Sequence, residues 1–123
     1  MELREIADAL VAGCREGRED ENLDRLHAAD AVSVEAVDFG GGREVHGVAG
    51  IRAKHAQWNE MFEVLEHRAS DPMPHGDDRF AVVFDARTRH RESGAVEEMR
   101  EVGLYHVADG RIVREEFFYP ADA

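Results

Sequence analysis

One cysteine, one lysine, one tryptophan and three prolines are all that the 123 residues hold of these types. The lone Cys14 excludes an intramolecular disulfide and leaves the cytoplasm as the expected compartment. Positive charge is scarce as well: 15 basic residues face 27 acidic ones, for a net charge of −12. Binding to phosphate backbones or anionic headgroups needs dense Lys and Arg, so neither nucleic acid nor membrane is the expected partner. No stretch approaches the roughly 18 apolar residues of a membrane span. The opening Met-Glu-Leu-Arg-Glu-Ile lacks the basic region and apolar run of a secretory leader.

Signatures of cofactor and metal chemistry are missing too. The seven histidines stand at 27, 46, 55, 67, 75, 90 and 106, none within two to four residues of another, so no zinc motif forms. Gly40-Gly41-Gly42 is followed by neither a P-loop lysine nor a dinucleotide pattern. Ser33, Ser70 and Ser93 lack a Gly-x-Ser-x-Gly context, and Cys14 lies on an apolar stripe where a thiol is inert. Neither a metal nor a cofactor is expected.

What is present is a clear change of period along the chain. Leu3, Ile6, Ala7, Leu10, Val11 and Cys14 recur at three- and four-residue spacing and predict an amphipathic helix. After Gly17, Asp20 reads as the N-cap of a short second helix carrying Leu23 and Leu26. Residues 31–37 alternate and are rich in β-branched types, so they predict a strand ending in the turn 38–42. Helical period returns from 48 to about 63, with Ile51, His55, Trp58 and Phe62 on one face. Three strands and a closing one follow, at 64–70, 79–91, 96–107 and 111–119, with Ser93-Gly94 and Asp109-Gly110 as hairpin turns. Helices followed by a run of antiparallel strands give an α+β domain spanning 1–123.

Three passages, in this order, resemble the nuclear transport factor 2-like superfamily, its SnoaL-like branch above all and ketosteroid isomerase more distantly. They are Leu26-His27-Ala28-Ala29-Asp30-Ala31-Val32-Ser33-Val34-Glu35, then Val45-His46-Gly47-Val48-Ala49-Gly50-Ile51-Arg52, then Leu104-Tyr105-His106-Val107-Ala108-Asp109-Gly110-Arg111-Ile112-Val113. The resemblance implies a cone-shaped fold: three N-terminal helices on a strongly bent antiparallel sheet, around a pocket for a small hydrophobic or aromatic organic molecule. It also implies a homodimer formed through the outer face of the sheet. The superfamily hosts isomerases, cyclases and dehydratases as well as proteins with no chemistry, so the fold locates a site without defining its reaction.

By that resemblance Glu35 stands where ketosteroid isomerases carry their proton-abstracting aspartate. A carboxylate losing solvation in an apolar cavity gains a raised pKa, which suits an acid or base working near neutrality. The oxyanion donors of those isomerases, a tyrosine and a protonated aspartate, are replaced at the matching positions by Val11 and Val102. Steroid isomerisation is therefore not implied. SnoaL-like cyclases place a histidine and an acid on the last strands, which assigns His106 as proton shuttle and Glu115 as acid or orienter. Leu104, Phe117 and Tyr119 would line the pocket from the same strand faces, and His55, Trp58 and Asn59 from the third helix. Glu101, Gly103, Tyr105, Arg114, Glu116 and Phe118 would then form the dimer surface. If the strand parity is reversed, Glu101 and Glu116 become the acids. Two readings stay open: a cofactor-independent isomerase, cyclase or dehydratase, and a non-catalytic ligand-binding or dimerisation module.

Overall fold

A computed structural model describes residues 1–120. Helix α1 (Leu3–Arg15) buries Ile6, Ala7, Leu10 and Val11, the stripe its period predicts. Its first turn is closed by the Glu2 N–H, which donates to the Glu5 carboxylate at 3.1 Å. Helix α2 (Glu19–Leu26) starts two residues earlier than an N-cap at Asp20 would require. Asp20 instead joins Glu19 and Glu21 in the first turn, where three carboxylates face the positive end of the helix dipole.

The chain then enters strand β1 (His27–Val34), four residues before the expected start, and returns through the short β2 (Glu44–His46). Helix α3 (Val48–Met61) follows β2, so only two of the three helices precede the sheet. Strands β3 (Phe62–Ala69), β4 (Met73–His75), β5 (Arg79–His90), β6 (Val96–Ala108) and β7 (Arg111–Phe118) complete a strongly curved sheet that does not close. Its order is β2-β1-β7-β6-β5-β3, with β4 on β5. The segment containing Pro72 and Pro74, between two of the expected strands, contributes a three-residue edge strand. The Asp109-Gly110 turn joins β6 to β7 with φ of 52° and 74°, the doubly left-handed geometry of a tight hairpin.

Two departures from expectation decide where the site lies. The sheet is not wholly antiparallel: β1 pairs in parallel with β7, matching Ser33 with Glu115 and Val34 with Glu116. The parity of β6 is also the reverse of that expected. Its register sets Tyr105 opposite Glu115 and Gly103 opposite Phe117, whereas Leu104 meets Glu116 and His106 meets Arg114. Opposed residues share a face, so Glu101, Gly103 and Tyr105 line the inner face with Glu115 and Phe117. Leu104 and His106 lie outside. The reason is packing. Tyr105 is buried and stacks on Phe80, centroids 5.0 Å apart, within the core formed by Ile6, Ala7, Leu10, Val11, Leu26, Val82 and Ile112.

Gly103 is small because two rings close over it. A Cβ at this position would lie 2.9 Å from ring carbons of both Phe84 and Tyr105. Gly103→Ala is therefore expected to destabilise the fold by about 1–3 kcal/mol, read as a lower urea midpoint at unchanged slope. An unchanged midpoint would contradict this packing.

Candidate active site

The parallel pairing of β1 and β7 brings together side chains from opposite ends of the sequence. Glu115 of β7 is 3% exposed, and both its oxygens are occupied. His27 Nε2, at the start of β1, lies 2.6 Å from Oε1. Ser33 Oγ donates to Oε2 at 2.8 Å. The second ring nitrogen of His27 faces the Asn22 carbonyl at 3.3 Å, so oxygen atoms lie on both sides of the ring. Burial alone would raise the Glu115 pKa. The His27 hydrogen bond and charge, the Ser33 hydroxyl and the Lys54 charge outweigh it and hold the carboxylate below its ordinary range.

Lys54, the only lysine, reaches this group from α3. Its Nζ donates to Ser33 Oγ at 2.6 Å, lies 5.3 Å above the centre of the Phe117 ring, and stands 3.9 Å from Glu35 Oε2. That last separation is an ion pair but too long for a hydrogen bond. Glu35 Oε2 is shielded from solvent and, among the described residues, has no hydrogen-bond partner. Burial raises the Glu35 pKa, with Lys54 opposing and the Glu115 charge adding to the rise.

Glu101, on the inner face of β6, completes the set. Burial first, and then the negative charge of Glu35, push its carboxyl up to about 7 against the pull of Lys54. Tyr119 borders the same carboxylates. Its hydroxyl is buried, and burial and the Glu35 charge raise its pKa against the pull of the Val37 and Ala36 backbone. Among the described residues neither Glu35 nor Glu101 has an arginine within ion-pair distance. Two inward carboxyls with raised pKa values beside one ammonium can exchange protons with a bound molecule near neutral pH. No group of three or more His, Cys, Asp or Glu among the described residues could hold a metal ion.

The other expected residues are dispersed. His106 pairs with Glu116 at 2.9 Å on the outer face, so neither a proton-shuttling His106 nor an acidic Glu116 is available to the inner group. Leu104 lies on that outer face too. His55 turns to Asp20 of α2, 3.2 Å away. Trp58 packs on Phe62, centroids 5.1 Å apart, and Phe62 meets His90 edge-on at 5.3 Å. Asn59 is exposed, and its carbonyl accepts from Arg91 at 2.9 Å. Phe117 and Tyr119 do sit with Glu35. Asp85 pairs across strands with Arg100 at 3.4 Å. A hollow of about 230 Å³ is lined by Phe62, Thr88, His90, Ser93, Ala95 and Glu97, and another of about 520 Å³ reaches His27 from the side of Leu23, Val48 and Arg111.

His27, Ser33 and Lys54 are the members that sequence reasoning passed over, and Glu101 entered only as the alternative. The available signals were that Ser33 shares a strand face with Glu35 and that Lys54 follows Ile51 by one helical step of three.

The SnoaL-like domain family matches residues 1–119. The chain is similar to the structure of a candidate SnoaL-like polyketide cyclase from Mesorhizobium loti. Identity is 32%, 97% of this chain and 100% of that chain are covered, and the TM-score is 0.89. In fold it is similar to TerC co-crystallised with polyporic acid, at 22% identity over 94% of this chain and 89% of that one, TM-score 0.72. A ketosteroid isomerase-like protein from Catenulispora acidiphila in complex with trimethylamine also shares the fold, at 19% identity over 95% and 86%, TM-score 0.72. No curated protein matches the chain. Among the described residues no helix is long and apolar enough to cross a membrane.

The ionisation of Glu101 gives a stability test with a defined sign. Its carboxyl ionises near 4.5 when unfolded and near 7 when folded. Below pH 4.5 both states are protonated and its contribution is complete. Between about 4.5 and 7 only the unfolded chain releases the proton, so stability falls as pH rises. Wild-type protein should lose on the order of 1–3 kcal/mol between pH 5 and 8 relative to Glu101→Gln, by urea denaturation at each pH. Parallel curves for the two proteins would contradict the burial of this carboxyl.

Proposed function

The chain belongs to the SnoaL-like domain family, and from that membership we propose that it is a cofactor-independent enzyme of the isomerase, cyclase or dehydratase kind. It acts on a small organic molecule held against the inner face of the curved sheet, in a cone-shaped pocket. Glu35 is the base and Glu101 the acid. The observation that carries this reading is the pair itself: Glu35 has an unpartnered, shielded oxygen, and Glu101 stays partly protonated near pH 7 beside it. Two carboxyls whose environments separate their ionisation can take opposite roles in one reaction. Phe117 and Tyr119 supply an aromatic wall. The description of the relative from Mesorhizobium loti as a candidate polyketide cyclase favours an enolisable, polyketide-like carbonyl compound as substrate.

The reading extends to a cytoplasmic homodimer. Val83, Val102 and Phe118 lie next to one another on the outer face, and Phe118 is 51% exposed. These residues, with Leu104, are the apolar centre a second copy would cover, and the His106–Glu116–Arg114 group its polar border. Glu101, Gly103 and Tyr105 face inward and are not part of that surface.

The chemistry is tested by proton exchange. Small aryl ketones and 1,3-dicarbonyl compounds are incubated with the protein in deuterated water, and loss of the activated C–H signal is followed by NMR. Wild type is expected to accelerate exchange of at least one of them. Glu35→Gln and Glu101→Gln should each lower that rate by about a hundredfold, and the wild-type rate should decline above pH 7 as Glu101 loses its proton. Ligand binding without exchange would leave a non-catalytic binding module and overturn the enzymatic reading.

A further inference from the structure

The two carboxyls move a proton but do not by themselves stabilise the negative charge that removing it creates. The valines at 11 and 102 provide no donor for such an oxygen. Lys54 does. We propose that the Lys54 ammonium binds the oxygen of a carbonyl substrate as it becomes an enolate, and that His27, Glu115 and Ser33 form a hydrogen-bond relay positioning that ammonium. The inference rests on the Glu35–Glu101 reading and adds to it the group that holds the developing oxyanion of an enolisable carbonyl substrate.

The relay has a fixed direction. Ser33 has a single hydroxyl proton, and it goes to the Glu115 carboxylate at 2.8 Å. Ser33 Oγ must therefore accept from Lys54, 2.6 Å away. Glu115 is held in turn by His27, and His27 faces the carbonyl of Asn22, whose Nδ2 donates to Leu10 of α1 at 3.1 Å. A flexible lysine stem is thus tied, through four side chains, to the most buried helix of the fold.

One N–H of the ammonium is spent on Ser33. The nearest Glu35 oxygen, at 3.9 Å, is beyond hydrogen-bond reach, so donor capacity is left over. A ligand oxygen off the line between them would accept from Lys54 while its neighbouring C–H bond meets Glu35. The charges facing Lys54 are Glu35 just past the end of β1, Glu101 from β6 and Glu115 from β7, with Ser33 and the Phe117 ring beneath it. In the step itself the proton on the α-carbon passes to the Glu35 carboxylate. The C–H electron pair becomes the new C=C bond, and the carbonyl π pair moves to oxygen beside Lys54. Glu101 then returns a proton to the product. At that moment Glu35 is neutral, so its repulsion toward the new oxyanion is gone.

Glu35→Gln mimics that neutral state and is the host for the test, with 4-nitrophenolate as the enolate probe and its absorbance as readout. Glu35→Gln protein is expected to bind the phenolate. Adding Lys54→Met should weaken binding about tenfold or more, since a charge-assisted donor to an oxyanion is removed. Lys54→Arg should stay within a few-fold. Ser33→Ala should weaken binding when Lys54 is present and add nothing in the K54M background, a non-additivity that general destabilisation does not produce. Phenolate affinity unchanged by Lys54→Met in a protein with native circular dichroism would overturn the proposal, as would no phenolate binding by Glu35→Gln protein. If wild-type exchange persists in Lys54→Met, the role of Lys54 fails while the carboxyl pair stands. If phenolate binding depends on Lys54 but no exchange occurs, the acid–base reading fails alone.

Discussion

The Glu115 carboxylate, out of solvent between His27 and Ser33, is the interaction on which the rest of the site depends. A buried charge is tolerated only when its oxygens are filled by well-placed donors. Here the donors come from one strand, at its start and near its end. They can reach Glu115 only because β1 lies in parallel register against β7, Ser33 beside Glu115. The carboxylate therefore pins the N-terminal strand to the C-terminal one, and through Ser33 it also fixes α3 by way of Lys54. Removing one partner of such a pair typically costs about 3–5 kcal/mol, because the other is left buried and uncompensated.

That arrangement creates an unequal competition. Three inward carboxyls, Glu35, Glu101 and Glu115, compete for one ammonium and one imidazole. Glu115 takes the imidazole, a hydroxyl and the field of Lys54, and is held ionised. Glu35 keeps a distant ion pair and an empty oxygen. Glu101 keeps no partner, and burial beside another negative charge leaves it near half-protonated at neutrality. In a chain with 27 acidic residues and a single lysine, two carboxyls with raised pKa values arise from a shortage of cations on the inner face.

Much of this was legible in the sequence, and the failures have physical causes. The stripe of α1, both hairpin turns and the inward face of β7 followed from period and turn chemistry, which are local properties. Glu35 stood out only through the resemblance of its passage to ketosteroid isomerases, not through period or turn chemistry. The parity of β6 was not readable. Both of its faces carry apolar groups, Val102 and Leu104 on one and Tyr105 and Val107 on the other, so alternation cannot say which is buried. Stacking of Tyr105 on Phe80 decides it, and that contact spans two strands. His27 and Ser33 were invisible as partners of Glu115, because pairing between residues more than 80 positions apart leaves no local trace. On α3 the error was one residue: a step of 100° around the helix separates His55, which turns to Asp20, from Lys54, which turns inward.

The most direct measurement is a carbon-13 NMR titration of the glutamate side-chain carboxyls, in wild type and in Glu35→Gln. One carboxyl resonance, absent from Glu101→Gln protein, should titrate at about 7 in wild type. It should move toward 4.5 when Glu35 is neutralised, because part of its displacement comes from that charge. If every glutamate carboxyl instead titrates below pH 5, or if the high one ignores Glu35→Gln, no coupled acid–base pair exists on the inner face and the account fails.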